Sequence, residues 1–162
     1  MSVNYTPGQL RSAVDIPQQT YRHWKKALAP LRRGRGHSPC FSAGDIVAVA
    51  VVRILAVDMA MRVGSLAPVA EMLFESCNSA PWPTLERGKF LFDLPNAEVQ
   101  FRLELAEARC EGPMAIVPLR PIITHLRDRL LAADTGDIQE TLRFPPTALV
   151  STGAASQRSG QS

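Results

Sequence analysis

The fold of the first part of this chain is decided by residues 17–28, which read PQQTYRHWKKAL. Apolar side chains recur there at steps of three and four residues, which predicts an amphipathic helix over Pro17–Leu28. Thr20, Tyr21, Trp24 and Leu28 fall at these steps; Tyr21 and Trp24 are expected to be buried, while Gln18, Gln19, Arg22, Lys25 and Lys26 point outward. A helix with this outer face presents hydrogen-bond donors and positive charge, so nucleic acid is the leading candidate partner.

A second short helix is predicted immediately before this one. Thr6 can accept a hydrogen bond from the first turn, Pro7 suits the first helical position, and Gln9 stands three residues after Thr6 as in a capping box. The turn at Asp15 and Ile16 ends this helix. Two short helices joined by a turn of three or four residues predict a helix-turn-helix.

Positive charge is concentrated in the first part of the chain. Residues 1–62 contain nine Lys or Arg and three acidic residues, whereas residues 63–162 contain nine and twelve. Between Ile16 and Gly44 there are six Lys or Arg and no acidic residue. Because solvated surfaces normally mix the two signs, this segment indicates contact with phosphates.

The region after the helix-turn-helix is predicted in three steps. Residues 29–41 contain two prolines, two glycines and three arginines, which favours a small hairpin or wing. Ser42 then caps a helix that runs to about Arg62, with Val57 in its apolar face, and Asp58 and Arg62 form a supporting pair. Gly64 stops this helix, and Ser65 caps another over residues 66–76.

The pattern changes after residues 77–83, which are rich in Asn, Ser, Pro and Trp and predict a boundary. Residues 89–92, 99–103 and 114–117 are predicted strands, with Pro95 and Asn96 in the turn between the first two. Residues 118–133 are a predicted helix. So small a unit needs support from the first domain or from its own copy in a dimer.

The predicted fold is therefore mainly α. An N-terminal winged helix-turn-helix with two further helices is followed by a small α+β unit of two or three antiparallel strands and one helix. The predicted domains are a DNA-binding domain at residues 1–76, a dimerisation or effector unit at 84–146, and a disordered tail at 147–162.

Residues 5–75 resemble the MerR-type winged helix-turn-helix. The resemblance rests on Tyr5-Thr6, Gln9-Leu10, Val14-Asp15-Ile16, Thr20-Tyr21-Arg22-His23-Trp24, a basic wing with glycine, Phe41, Asp45-Ile46, and Gly64-Ser65-Leu66 followed by Val69-Ala70-Glu71-Met72-Leu73. The chain departs from the family where Ser38-Pro39-Cys40 replaces the arginine expected before the wing aromatic. A strand-rich segment from Arg87 also replaces the long dimerisation helix of family regulators.

The resemblance implies a set of DNA-binding residues. They are Gln18, Gln19, Thr20, Arg22, His23, Lys25, Lys26, Arg32, Arg33, Arg35 and His37. Thr20 and Arg22 are expected to contact the major groove or its flanking phosphates, while Tyr21 is buried. Glutamine at the exposed start of the helix can read adenine, and the wing arginines can reach phosphates or the minor groove.

These observations predict a homodimeric transcriptional regulator, prokaryotic or phage, that reads an inverted repeat in double-stranded DNA. Two alternatives stay open: an excisionase-like or phage architectural DNA-binding protein, and a protein-interaction module on a winged-helix fold. No signal peptide or membrane span is predicted, because polar residues interrupt the N-terminus and the apolar run 46–57 is short and contains Arg53. The expected location is cytoplasmic and nucleoid-associated.

Catalysis, a metal and a cofactor are not predicted. The candidate bases His23, His37 and His125 fall on separate elements, and Glu104, Glu107 and Glu111 have the spacing of a solvated helix face. The three cysteines, Cys40, Cys77 and Cys110, lack a Cys-x-x-Cys pair, so neither a disulfide framework nor a zinc site is expected. Cys77 and Cys110 are interpreted as small buried residues, and an effector is left unassigned.

Overall fold

The computed structural model describes residues 3–34, 36–103 and 112–141, with residues 134–141 described by their backbone only. Its first two helices are α1, Pro7–Val14, and α2, Gln18–Ala27. The predicted capping box of α1 is confirmed: Gln9 N donates to Thr6 Oγ1 at 3.2 Å, and Thr6 N donates to Gln9 Oε1 at 2.9 Å. Asp15 ends α1 in a left-handed conformation with φ of 59°, which produces the predicted turn.

The segment after α2, predicted as a small hairpin or wing, does not form a hairpin in its described residues. It begins with a 3-10 helix, Ala29–Arg32, and continues as an irregular loop. Within the described residues of this segment, only Phe41 forms a β-bridge, and its partner is Tyr5. Tyr5 N donates to Phe41 O at 2.7 Å, so Phe41 pairs with the N-terminal segment rather than with a residue of its own loop.

The third helix, α3, Ala43–Arg53, is shorter than predicted and passes into a π-helical turn, Ile54–Asp58. Met59 N donates to Ile54 O at 2.9 Å, five residues back, which rotates the chain out of the helical register. As a consequence Val57, predicted to be buried, is 53% exposed. Asp58 pairs with Arg53 at 3.8 Å and not with Arg62 as predicted.

The fourth helix, α4, Val63–Ser79, begins earlier and ends later than predicted. Gly64 therefore lies inside the helix and does not stop the preceding one. Ser65 is also inside α4, where its hydroxyl donates to Arg62 O at 2.7 Å. The helix continues into the predicted boundary, and a short helix that was not predicted, α5, Trp82–Glu86, follows it.

The C-terminal part confirms the predicted small α+β unit. It contains β1, Gly88–Asp93, β2, Glu98–Leu103, and β3, Ala115–Pro118, followed by α6, Arg120–Thr141. The strands form an antiparallel sheet in the order β2-β1-β3. Asn96 N donates to Asp93 Oδ1 at 3.2 Å in the predicted turn. The mainly α fold class with a small antiparallel sheet is thus confirmed.

The buried side chains of the two parts form one hydrophobic cluster. It joins Trp24 and Phe41 of the N-terminal part to Phe90 and Ile123 of the C-terminal part. The last helix packs against α1, α3 and α5. The small unit thus packs on the first part, which is one of its two predicted supports, while the other, a second copy in a dimer, and the domain boundaries stay predictions. The proposed tail at residues 147–162 lies outside the described residues.

None of the helices in the described part of the chain is both long enough and apolar enough to cross a membrane.

Candidate nucleic-acid interface

We call residues 32–37 the basic segment, and we call the exposed side of α2 together with this segment the recognition face. The exposed predicted site residues are Gln18, Gln19, Arg22, His23, Lys26, Arg32, Arg33 and His37, and the half-buried ones are Thr20 and Lys25. Arg35 lies outside the described residues. The exposed side of α2 therefore carries amide, guanidinium, imidazole and ammonium groups together, and no carboxylate.

The opposite side of α2 fixes this face on the protein. Tyr21 and Trp24 retain 6% and 3% of their accessible surface, which confirms their predicted burial. The helix packs against the 3-10 helix and α4. Because two aromatic rings one turn apart are buried together, rotation of α2 about its axis is strongly restricted.

Arg32 folds back onto the end of α2. Its Nε donates to Lys25 O at 3.1 Å, and its Nη2 donates to Lys26 O. A guanidinium placed here satisfies carbonyls left open at a helix C-terminus and meets the negative end of the helix dipole. Arg32 is exposed, so it brings a positive charge to the recognition face while it caps α2.

Arg33 joins the basic segment to the start of α3. Its Nη1 lies 3.5 Å from Asp45 Oδ1, and its side chain stays 46% exposed while that of Asp45 is 3% exposed. Asp45 also accepts hydrogen bonds from Ser42 N and from Asn78 Nδ2, both at 2.9 Å. The buried carboxylate thus holds one end of the basic segment against the two helices behind it.

The turn of the basic segment depends on Gly34. Its φ of 74° is left-handed, and a Cβ there would lie 2.6 Å from Cys40 Sγ. The Cys40 thiol donates to Arg33 O at 3.5 Å. Burial raises the pKa of this thiol, while Lys25 nearby lowers it and Asp45 raises it. Cys40 is therefore a packing residue of the loop rather than an activated thiolate.

Sequence reasoning missed two cations beside the N-terminal end of α2. Arg129 of α6 donates to Ser12 O at 2.9 Å and lies 3.6 Å from Asp15 Oδ1. It lines an open depression with Arg11 and Pro17, next to the first residue of α2. The Arg129–Ser12 contact joins residues 117 positions apart, so no local pattern could have indicated it.

A second feature that the sequence did not indicate is a cavity of about 350 Å³ between α6, α3 and the end of α1. Its polar lining includes Arg53, Asp58 and His125, and Ile54 and Leu126 contribute to its apolar lining. The structure does not bring His125 together with the exposed His23 and His37 of the recognition face.

The other residues considered for catalysis or metal binding do not form a site within the described residues. They contain no cluster of three His, Cys, Asp or Glu side chains that could hold a metal ion. Cys77 is buried as predicted, and this burial, together with Asp45, raises the pKa of its thiol. Cys110, Glu104, Glu107 and Glu111 lie outside the described residues.

The hydroxyl of Tyr21 is buried and makes no hydrogen bond to any described residue. Burial raises the pKa of this phenol, Cys40 adds to the rise, and Arg11 opposes it. Burying a hydroxyl without a partner costs free energy. We therefore expect Tyr21→Phe to leave the free energy of unfolding unchanged or to raise it by about 1 kcal/mol.

Urea unfolding followed by circular dichroism measures this effect. Tyr5→Phe, which removes the other tyrosine hydroxyl of the chain, is the matched control because Tyr5 is half-buried. A loss of more than about 1 kcal/mol in Tyr21→Phe alone would mean that the Tyr21 hydroxyl has a hydrogen-bond partner.

No protein-family model, curated protein or solved structure matches this chain. The resemblance of residues 5–75 to the MerR-type domain therefore stays a prediction.

Proposed function

We propose that this protein is a sequence-specific, DNA-binding transcriptional regulator that acts as a homodimer and uses the recognition face. The observation that carries the proposal is the division of α2 into two sides. Buried aromatic rings anchor one side, and the other exposes only neutral and cationic polar groups. A helix that is fixed in this way and carries no acid on its outer side suits the negative potential of a DNA groove.

The side chains of α2 match the two kinds of contact that a recognition helix makes. Gln18 and Gln19 stand exposed in its first turn, where an amide can pair with the adenine edge in the major groove. Arg22 is exposed one turn later and can bind a guanine edge or a phosphate. Lys25 and Lys26 lie in the last turn and supply charge for the DNA backbone.

The basic segment extends the same surface beyond the end of α2. Arg32 and Arg33 keep exposed guanidinium surface although each also has a partner within the protein. These partners hold the two side chains in place before DNA binds, which lowers the conformational entropy that binding would cost. Two copies of the face, related by a two-fold axis, would read half-sites separated by about one helical turn, roughly 10 base pairs.

Selection from random duplex DNA tests the proposal, followed by affinity measurements on the enriched duplex at several salt concentrations. We expect an inverted repeat and a slope of log affinity against log salt of about −0.9 for each phosphate neutralised. Salt-sensitive binding without enrichment would favour an architectural DNA-binding protein. Absence of binding would leave the protein-interaction module as the remaining candidate.

A further inference from the structure

The two outer strands of the sheet differ in how well they are protected. β3 has four residues, Pro118 ends it, and Pro113 stands two positions before it. Proline and short length both hinder the addition of another strand. β2 has six residues with neither proline nor lysine, and in the described part of the chain it pairs with β1 alone. The outer edge of β2 is therefore the better template for a further strand.

Side chains of like charge stand opposite each other on β1 and β2 within one copy of the chain. Their register places Asp93 opposite Glu98 at one end, and Lys89 opposite Arg102 at the other. Like charges directly opposite each other weaken an antiparallel strand pair. Glu98 and Arg102 are both exposed, and they lie at equal distances along the strand on either side of the exposed Gln100.

A two-fold axis at Gln100 places opposite charges next to each other between two copies. With β2 of two copies antiparallel about Gln100, Glu98 of each copy stands opposite Arg102 of the other. At each end of the joined strands, Asp93 and Glu98 of one copy then lie beside Lys89 and Arg102 of the other. The charge pattern of β2 is therefore complementary to itself in this one register.

The other face of β2 fits the same register. Val99 of one copy stands opposite Phe101 of the other, and a β-branched residue beside an aromatic ring is a favourable cross-strand pair. Both side chains are half-buried against the hydrophobic core, and the Phe101 ring contacts that of Phe90 with centroids 5.6 Å apart. Pairing about Gln100 would continue this apolar layer from one copy into the next.

We propose that the partner of β2 is a second copy of this chain, joined antiparallel about Gln100 so that the two sheets become one. This inference specifies the homodimer that the proposed function includes. Its test measures molecular mass in the absence of DNA, so a wrong interface and a wrong DNA-binding function give different results.

Two single charge reversals test the interface, Glu98→Arg and Arg102→Glu. In a dimer of either variant, position 98 of each copy stands opposite position 102 of the other with a like charge. We therefore expect the dissociation constant of the dimer to rise about tenfold or more. Within one copy, the new side chain of Glu98→Arg stands opposite Asp93, and that of Arg102→Glu stands opposite Lys89. Each new side chain therefore faces an opposite charge. Both variants should therefore stay folded by circular dichroism. Sedimentation equilibrium over a concentration series gives the masses.

Mixing the two variants provides the decisive measurement. The Glu98→Arg variant is positive at both positions 98 and 102, and the Arg102→Glu variant is negative at both. A mixed pair therefore sets opposite charges at each contact, so heterodimers should form where each variant alone is monomeric. The double variant E98R/R102E should likewise recover the dimer. Glu71→Arg and Arg87→Glu make the same charge changes at exposed positions outside β2 and should leave the mass unchanged.

Three outcomes would overturn the proposal. One is a wild-type chain that stays monomeric at concentrations up to about 100 μM, well above those at which specific complexes form. Another is a dimer that both single reversals leave intact, which would place the interface elsewhere. The third is a mixture of the two variants that remains monomeric, because the two contacts it restores are those on which the inferred register depends.

Discussion

Replacing Asp45 with alanine is expected to lower the free energy of unfolding by about 2 to 4 kcal/mol. The carboxylate is 2% exposed and accepts hydrogen bonds from Ser42 N and Asn78 Nδ2. Alanine removes this acceptor from the half-buried Ser42 and the exposed Asn78, and a hydrogen bond to a charged group contributes about 1.5 to 3 kcal/mol. It also removes the ion pair that holds Arg33.

The position of Asp45 makes compensation by a shift of the helices difficult. Asn78 also donates to Phe74 O at 2.8 Å, so its amide is fixed from the α4 side. At the neighbouring Gly44, a Cβ would lie 2.7 Å from Cys77 O, which shows how closely the start of α3 approaches the end of α4. A contact this close leaves the two helices little room to move together when the carboxylate is removed.

Urea unfolding of Asp45→Ala beside two controls measures the effect. Ser42→Ala removes the side-chain cap of α3 and the hydrogen bond that Ser42 Oγ donates to Asn78 Oδ1, and it should cost about 1 to 2 kcal/mol. Asp58→Ala removes the exposed pair with Arg53 and should cost less than about 1 kcal/mol. If Asp45→Ala were no more destabilising than Asp58→Ala, the buried carboxylate would not be the link between α3 and α4.

The features that the sequence predicted correctly are local ones. The capping box of Thr6 and Gln9 joins residues three apart, as does the cap of Ser42 on Asp45 N. Burial of Tyr21 and Trp24 follows from their spacing on one helix face. In each case the deciding interaction lies within one turn of helix, so the residue pattern contains the necessary information.

The features that were missed depend on distant parts of the chain or on small differences in backbone geometry. The π-helical turn at Ile54–Asp58 interrupts an apolar pattern that continues smoothly in the sequence, so periodicity extended α3 too far. The capping of α2 by Arg32 was missed because no neighbouring residue indicates it, while the contact of Arg32 with phosphates or the minor groove stays a prediction. The contact of Arg129 with Ser12 requires α6 to pack beside α1, which only the tertiary structure determines.

The second large effect is expected at Arg22. Arg22→Ala should weaken binding to the selected duplex by about 1 to 3 kcal/mol, or roughly 5- to 150-fold. Because Arg22 is exposed on α2, the free energy of unfolding should change by no more than about 0.5 kcal/mol. Arg87→Ala, which removes an exposed arginine from the turn before β1, is the matched control for the lost charge.

The kind of contact that Arg22 makes can be separated from its charge. Arg22→Lys keeps the charge but loses the planar pair of donors, so a base-reading arginine loses most of its contribution and a phosphate-binding one keeps much of it. Lys26→Ala is the comparison for a phosphate contact, since it should weaken binding to all duplexes alike and reduce the salt slope by about 1. Equal effects of Arg22→Ala and Arg87→Ala on affinity would mean that α2 contributes only net charge, and the recognition face would then have to be sought elsewhere on the protein.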